Sequence, residues 1–154
     1  MKKQSLLLLV AALVAVFAIF KADRYKDSAL EKEKEAVEAA ILDYVEALYQ
    51  VDSTRIHSSV HKEMRKRGYY MNNGNYQQAD MTFAQLSSLA SRWNKEGKRA
   101  NEKSPKEIVV FDILDKTASA KLTAEWGVDY FHLVKLDDKW YIMNVLWQSP
   151  PPKG

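Results

Sequence analysis

The chain changes period twice. Val37, Ala40, Ile41, Tyr44, Val45 and Leu48 recur at spacings of three and four, which predicts an amphipathic helix ending near Gln50. Lys21 to Glu35 is highly charged and reads as a solvated lead-in to that helix. Asp52 and Ser53 are positioned to cap a second, shorter helix carrying Ile56, Val60 and Met64. Asn73-Gly74 lies between two tyrosine-rich stretches and marks a small hairpin, because both residues accept the positive φ of a type I′ turn. Thr82-Phe83-Ala84-Gln85 has the pattern of a capping box, with Met81 and Leu86 as its staple. The helix that follows should bury Phe83, Leu86, Leu89, Ala90 and Trp93 and stop at Gly97. From Ile108 onward the period is two. Strands are expected over Ile108–Leu114, Thr117–Glu125, Val128–Leu136 and Lys139–Gln148, with turns at Asp115-Lys116 and Asp137-Asp138. Helices first and a meander second predict an α+β fold with a largely antiparallel sheet.

The amino terminus follows another rule. Met1-Lys2-Lys3 precedes an unbroken apolar run of 15 residues, Leu6 to Phe20. A basic start with such a run is the pattern of a secretory signal, and the run is short for a membrane span of roughly 20 residues. Cleavage after Ala18 or Ala22, or retention as an N-terminal anchor, both place the remainder outside the cytoplasm, periplasmic or secreted. The resulting division is 1–20 signal or anchor, 21–34 charged linker, 35–149 folded domain and 150–154 proline-rich tail. Contact with a membrane is expected only through an uncleaved N-terminal segment.

Composition narrows the chemistry. The chain has 154 residues, fitting one domain, and is 47% hydrophobic and 28% charged. There are 23 Lys+Arg against 20 Asp+Glu, and removing Lys2 and Lys3 with the signal leaves 21 against 20. So near-neutral a surface does not predict a nucleic-acid partner. Absence of cysteine excludes disulfides, thiolate metal sites and a cysteine nucleophile. With three histidines and no HExxH, phosphate-loop or Ser/His/Asp motif, no metal and no cofactor is implied.

The order of elements resembles the cone-shaped folds of the nuclear-transport-factor-2-like superfamily. Within it, the chain is similar to the bacterial lumazine-binding-like family. Val60-His61 with Lys66-Arg67, Met81-Thr82, and Asp112-Ile113-Leu114 through Ala118-Ser119 carry the likeness. So, most closely, do Val128-Asp129-Tyr130-Phe131-His132-Leu133 and Trp140-Tyr141-Ile142-Met143-Asn144-Val145-Leu146-Trp147. The resemblance covers about Glu35 to Gln148. It departs at Lys62, where members commonly have proline after the histidine, and at Asp138, where they commonly have glycine. It implies three N-terminal helices on a strongly bent sheet, and no catalytic residue transfers with it.

A two-residue turn at Asp137-Asp138, extended without interruption, pairs Phe131 with Asn144 and Asp129 with Leu146. One face would then carry Asp129, Phe131, Leu133, Trp140, Ile142, Asn144 and Leu146, and should meet the helices. The other would carry Tyr130, His132, Val134, Tyr141, Met143, Val145 and Trp147. Asp129 and Asn144 projecting into an apolar cone need partners. They would recognise a ligand, or bond to loop backbone or to Arg65 or Arg67 and hold the cone closed. The ligand-binding candidates are Asp129, Asn144, Phe131, Trp126, His61 and Trp140. Trp126, beside Gly127, would be a pocket wall or a core plug. His61 would reach the cone mouth from the second helix or be an exposed helix-end residue. Lys62 to Arg67 reads as a solvated charge run.

Three functions compete: a non-catalytic binder of a small apolar or heteroaromatic ligand such as a pteridine, an isomerase, dehydratase or hydrolase using Asp129 as acid or base, and a structural or accessory protein with a filled cone. The second apolar face, with Tyr130, Tyr141, Met143, Val145 and Trp147, also predicts a homodimer, since the fold commonly pairs sheets back to back.

Overall fold

The computed structural model describes the backbone of residues 2–150 and the side chains of residues 24–150. The expected signal or anchor, Met1–Phe20, and the tail beyond Pro150 therefore lie outside the described side chains. Among the described residues, no helix is long and apolar enough to cross a membrane. The chain divides into two compact units, residues 1–34 and 35–154.

Helix α1 spans Lys2–Tyr49, so the charged stretch expected as a lead-in is itself helical. Its exposed run from Arg24 to Lys32 has no apolar stripe to bury. From Val37 the three-and-four spacing takes over, and Val37, Ile41, Tyr44, Val45 and Leu48 are all buried. The helix stops at Val51, whose φ of 61° lies in the left-handed region. The Asp52 amide closes the end on the Ala47 carbonyl at 2.9 Å. Helix α2, Ser53–Ser59, is capped by Asp52, whose carboxylate accepts from the Thr54 amide at 3.0 Å.

Strand β1 is Val60–Asn72. This corrects the expected second helix, which would have included Val60 and Met64. The flanking residues are mostly charged and carry little strand preference of their own, but pairing to β2 on one side and β6 on the other outweighs the helical spacing of Ile56, Val60 and Met64. Strand β2 is Asn75–Thr82, joined to β1 through Asn73 and Gly74 with φ of 49° and 80°. Helix α3, Phe83–Ala90, starts with the full capping box of Thr82 and Gln85. It ends earlier than Gly97. Beyond it, the Asn94 side chain takes four backbone partners, Tyr49 O, Ala100 O, Arg99 N and Ala100 N, at 2.8–3.1 Å, and these local bonds compete with helix continuation.

Strands β3 (Glu107–Ile113), β4 (Thr117–Ala124), β5 (Gly127–Leu136) and β6 (Lys139–Gln148) form the expected meander. The six-stranded sheet runs β2-β1-β6-β5-β4-β3, antiparallel throughout except for β1 against β6. Register shifts interrupt β1 before Arg65, β3 at Phe111 and β6 at Met143. Such extra residues bend a strand and increase its twist, which gives the sheet its curvature.

The shift in β6 overturns the expected faces. Leu133 pairs with Ile142 as expected, but His132 then pairs with Asn144, Phe131 with Val145 and Asp129 with Trp147. One extra residue reverses the parity of everything beyond it. Asn144 and Leu146 move to the outer face and are exposed, while Val145 (3% exposed) joins the core and Trp147 packs against it. The expected dimer surface thus loses Val145 and Trp147 to the interior.

Gly68 pairs with Trp147 across the parallel β1–β6 junction. A Cβ added there would lie 2.1 Å from the Trp147 carbonyl oxygen and 2.3 Å from its indole. Gly68→Ala is therefore expected to lower stability by about 1–3 kcal/mol or more through overpacking. Urea denaturation checks this; a variant as stable as the parent would contradict the close approach.

Candidate functional site

Among the described residues, Lys66 and Asp129 form a buried ion pair in the core. Lys66 lies on the inner face of β1 between Met64 and Gly68, while Arg65 and Arg67 point outward. Its Nζ donates to Asp129 Oδ1 at 2.8 Å. Asp129 is 0% exposed and Lys66 is 6% exposed. The charge run of residues 62–67 is thus not wholly solvated. Period-two alternation puts Lys66 on the same side as Met64.

Each group of the pair has further partners. Lys66 Nζ also donates to the Tyr44 hydroxyl at 2.5 Å. The Trp126 Nε1–H donates to Asp129 Oδ2 at 2.8 Å. Around the ammonium stand the rings of Tyr44, Trp126 and Trp147, with centroids at 5.3, 5.7 and 5.1 Å. An ammonium facing the electron-rich faces of aromatic rings gains attraction where water is excluded. Tyr44 meets Phe131 edge-on at 5.2 Å, and Trp126 does the same with Trp93 at 5.4 Å. Among the described residues, no buried side-chain polar atom lacks a partner.

The elements deliver these groups for local reasons. Tyr44 is on the buried stripe of α1. Lys66 follows from the parity of β1, and Trp147 from the shifted register of β6. Trp126 sits in the turn before Gly127, where φ is 125° and an added Cβ would lie 2.1 Å from the Gln148 carbonyl oxygen. Tyr49 secures the same corner: its hydroxyl donates to Pro105 O at 2.8 Å and accepts from the Glu125 amide at 2.9 Å.

Burial shifts the proton affinities. Burial holds the Tyr44 phenol well above its ordinary value of 10.0, and the neighbouring Asp129 charge adds to this. Burial also lowers Lys66 below its ordinary 10.5, against the opposing pull of Asp129.

Of the six candidates, Asp129, Phe131 and Trp126 belong to this inner site. Trp140 is buried in the core at the β5–β6 turn, paired across from Lys135. Asn144 is on the outer face. His61 is at the start of β1, not on a helix, and its ring meets Tyr141 edge-on at 6.4 Å. Neither Arg65 nor Arg67 is the Asp129 partner. Lys66 and Tyr44 were missed as site residues. The signal for Lys66 was its even spacing from Met64 and Gly68, visible once the segment is read as a strand. Among the described residues, no three His, Asp or Glu side chains converge as metal ligands.

The outer face holds a second feature. A groove of ≈ 470 Å³ is lined by Arg65, Arg67, Tyr130, His132, Asn144, Val145 and Leu146.

Three helices on a six-stranded mixed sheet define a nuclear-transport-factor-2-like fold. A nuclear-transport-factor-2-like protein of unknown function from Silicibacter pomeroyi superposes with a TM-score of 0.59 at 12% identity, over 79% of this chain and 98% of that one. One from Methylobacillus flagellatus gives 0.58 at 18% identity, over 77% and 93%. A protein from Novosphingobium aromaticivorans titled "Putative Scytalone Dehydratase" gives 0.54 at 13%, over 81% and 88%. These likenesses are of fold. No curated protein sequence matches the chain significantly. The family described as "Putative lumazine-binding" matches residues 32–148, and the chain belongs to it.

Removing one partner of the ion pair strands the other in the core. Lys66→Met alone is expected to cost about 3–5 kcal/mol, whereas Lys66→Met with Asp129→Leu should be near neutral or stabilising. Urea melts of the two variants check the difference. Tyr44 adds a pH signature. Its folded value lies above its unfolded one, so its contribution is intact below about pH 10 and lost as pH rises beyond it. The depressed Lys66 acts in the opposite sense over the same range, so the Tyr44 contribution is read by difference: from about pH 9 to 11.5 the parent should lose stability relative to Tyr44→Phe.

Proposed function

We propose that the chain is an exported, non-catalytic small-molecule-binding protein whose ligand, a flat heteroaromatic of the pteridine type, enters the cone beside the Lys66–Asp129 pair. The observation that carries this reading is the hydrogen-bond count at Lys66. An ammonium has three N–H bonds, and the described acceptors Asp129 and Tyr44 take two of them. The third serves a ligand carbonyl or ring nitrogen. Trp126 and Trp147, both only partly buried, flank the ammonium and offer faces on which a flat ring stacks. Family membership supports a ligand-binding role in general terms. Export rests on the basic start and apolar run of Met1–Phe20.

The neighbour titled as a dehydratase raises the second reading, with Asp129 as acid or base. Both Asp129 oxygens are already engaged, by Lys66 and by Trp126, and this favours recognition over proton transfer.

Titration with lumazine, followed by tryptophan fluorescence, tests the binding role. Saturable quenching is expected in the parent protein. A charge-assisted hydrogen bond contributes about 1.5–3 kcal/mol, so Lys66→Met/Asp129→Leu should weaken binding at least tenfold while circular dichroism shows the fold retained. Equal quenching in both proteins would remove the inner site from the account. For export, fractionation and N-terminal sequencing should find the chain outside the cytoplasm; full-length chain recovered from the cytosol would refute it.

A further inference from the structure

The outer face of the sheet carries chemistry that the inner site does not use. Across three neighbouring strands, register aligns Arg67 with Leu146 and Tyr130, and Arg65 with Asn144 and His132. These six residues line the ≈ 470 Å³ groove. That volume falls within the ~300–1,000 Å³ of small-molecule sites. The register shift at Met143 builds it, because only the reversed parity brings Asn144 out beside His132.

The lining divides into two chemical parts. Arg65 and Arg67 are two residues apart on one strand face, about 7 Å, and present guanidinium groups suited to planar oxyanions. Arg65 is held in place by donating to the carbonyls of Glu63 and Met64 at 3.3 and 3.1 Å. His132 and Asn144 make no side-chain hydrogen bond among the described residues, and no carboxylate is in the lining. Asp80 approaches Arg67 from β2 at 3.7 Å, with both side chains largely exposed, a weak restraint. Lys121, paired with Tyr130 on the next strand, adds a further positive charge. Tyr130 and Leu146, 49% and 58% exposed, supply an apolar surface beside this cationic cluster.

We propose that this outer groove is a second binding site, for small aromatic carboxylates. The carboxylate lies against Arg65 and Arg67, His132 and Asn144 complete its hydrogen bonds, and the ring covers Tyr130 and Leu146. The groove faces away from the Lys66–Asp129 centre, so the two sites are independent.

The test uses 1-naphthoate and its neutral counterpart 1-naphthamide, with calorimetry for affinity and the Asn144 side-chain amide in ¹⁵N spectra for location. The full chain should bind naphthoate at least tenfold more tightly than naphthamide and shift the Asn144 amide. Arg65→Gln/Arg67→Gln, at exposed positions, should weaken naphthoate at least tenfold. Lys66→Met/Asp129→Leu should leave it within twofold. Equal affinity for acid and amide, an unchanged arginine variant, a loss that follows the inner-site variant, or no binding at millimolar naphthoate would each overturn the proposal. So would a wild-type dimer in sedimentation that takes up no naphthoate, since a second copy would then cover the groove.

Discussion

The buried pair of Lys66 and Asp129 is the constraint around which the rest of the interior is arranged. Taking two opposite charges out of water costs several kcal/mol per ion, and the attraction between them offsets this only with good geometry and further hydrogen bonds. The pair and the three side chains that meet that requirement come from five different elements. Tyr44 comes from α1, Lys66 from β1, Trp126 from the β4–β5 turn, Asp129 from β5 and Trp147 from β6. Helix, sheet and turn must all be in register for the pair to be satisfied. A pair of this kind is weak evidence for stability, because an apolar pair of similar volume packs as well. Its retention in an otherwise apolar cone is what directs attention to recognition.

Curvature and chemistry come from the same irregularities. The extra residue at Met143 bends β6, puts Val145 and Trp147 into the core and turns Asn144 outward. The inner site gains a ring over Lys66 by this means, and the outer groove gains an amide beside His132. A straight β6 would have buried an unpaired amide and exposed an indole, both unfavourable. Gly68 belongs to the same arrangement, since the shifted Trp147 lies where any larger side chain would be.

The two faces therefore differ in what they can recognise. The inner site is balanced in charge and enclosed by rings, and two of the three Lys66 N–H bonds go to the described acceptors Asp129 and Tyr44. The outer groove is open, cationic and without a lining carboxylate. The fold alone separates neither possibility from the other, since many unrelated functions share it and function resides in the particular side chains. Here those side chains come from adjacent positions of one strand: Arg65, Lys66 and Arg67 serve opposite faces in turn.

Much of the fold was legible because it rests on local rules. The stripe on α1, the Asn73-Gly74 turn, the Thr82–Gln85 box and the period-two strands are each set by neighbours within a few residues. Asp129 as an inward-facing carboxylate was legible too, because the strand carrying it alternates without a break. The partner of Asp129 was not, since Lys66 sits in a charged hexapeptide whose helical and extended readings differ only once β6 is laid beside it. The position of Asn144 was also out of reach. Sequence sets alternation, but a single inserted residue reverses it, and where a strand takes that insertion depends on which parity best fills the space between sheet and helices. That balance of packing against hydration is struck only in the assembled core, so the amino-acid pattern determined the elements and the tertiary structure alone decided which side of the sheet each site residue occupies.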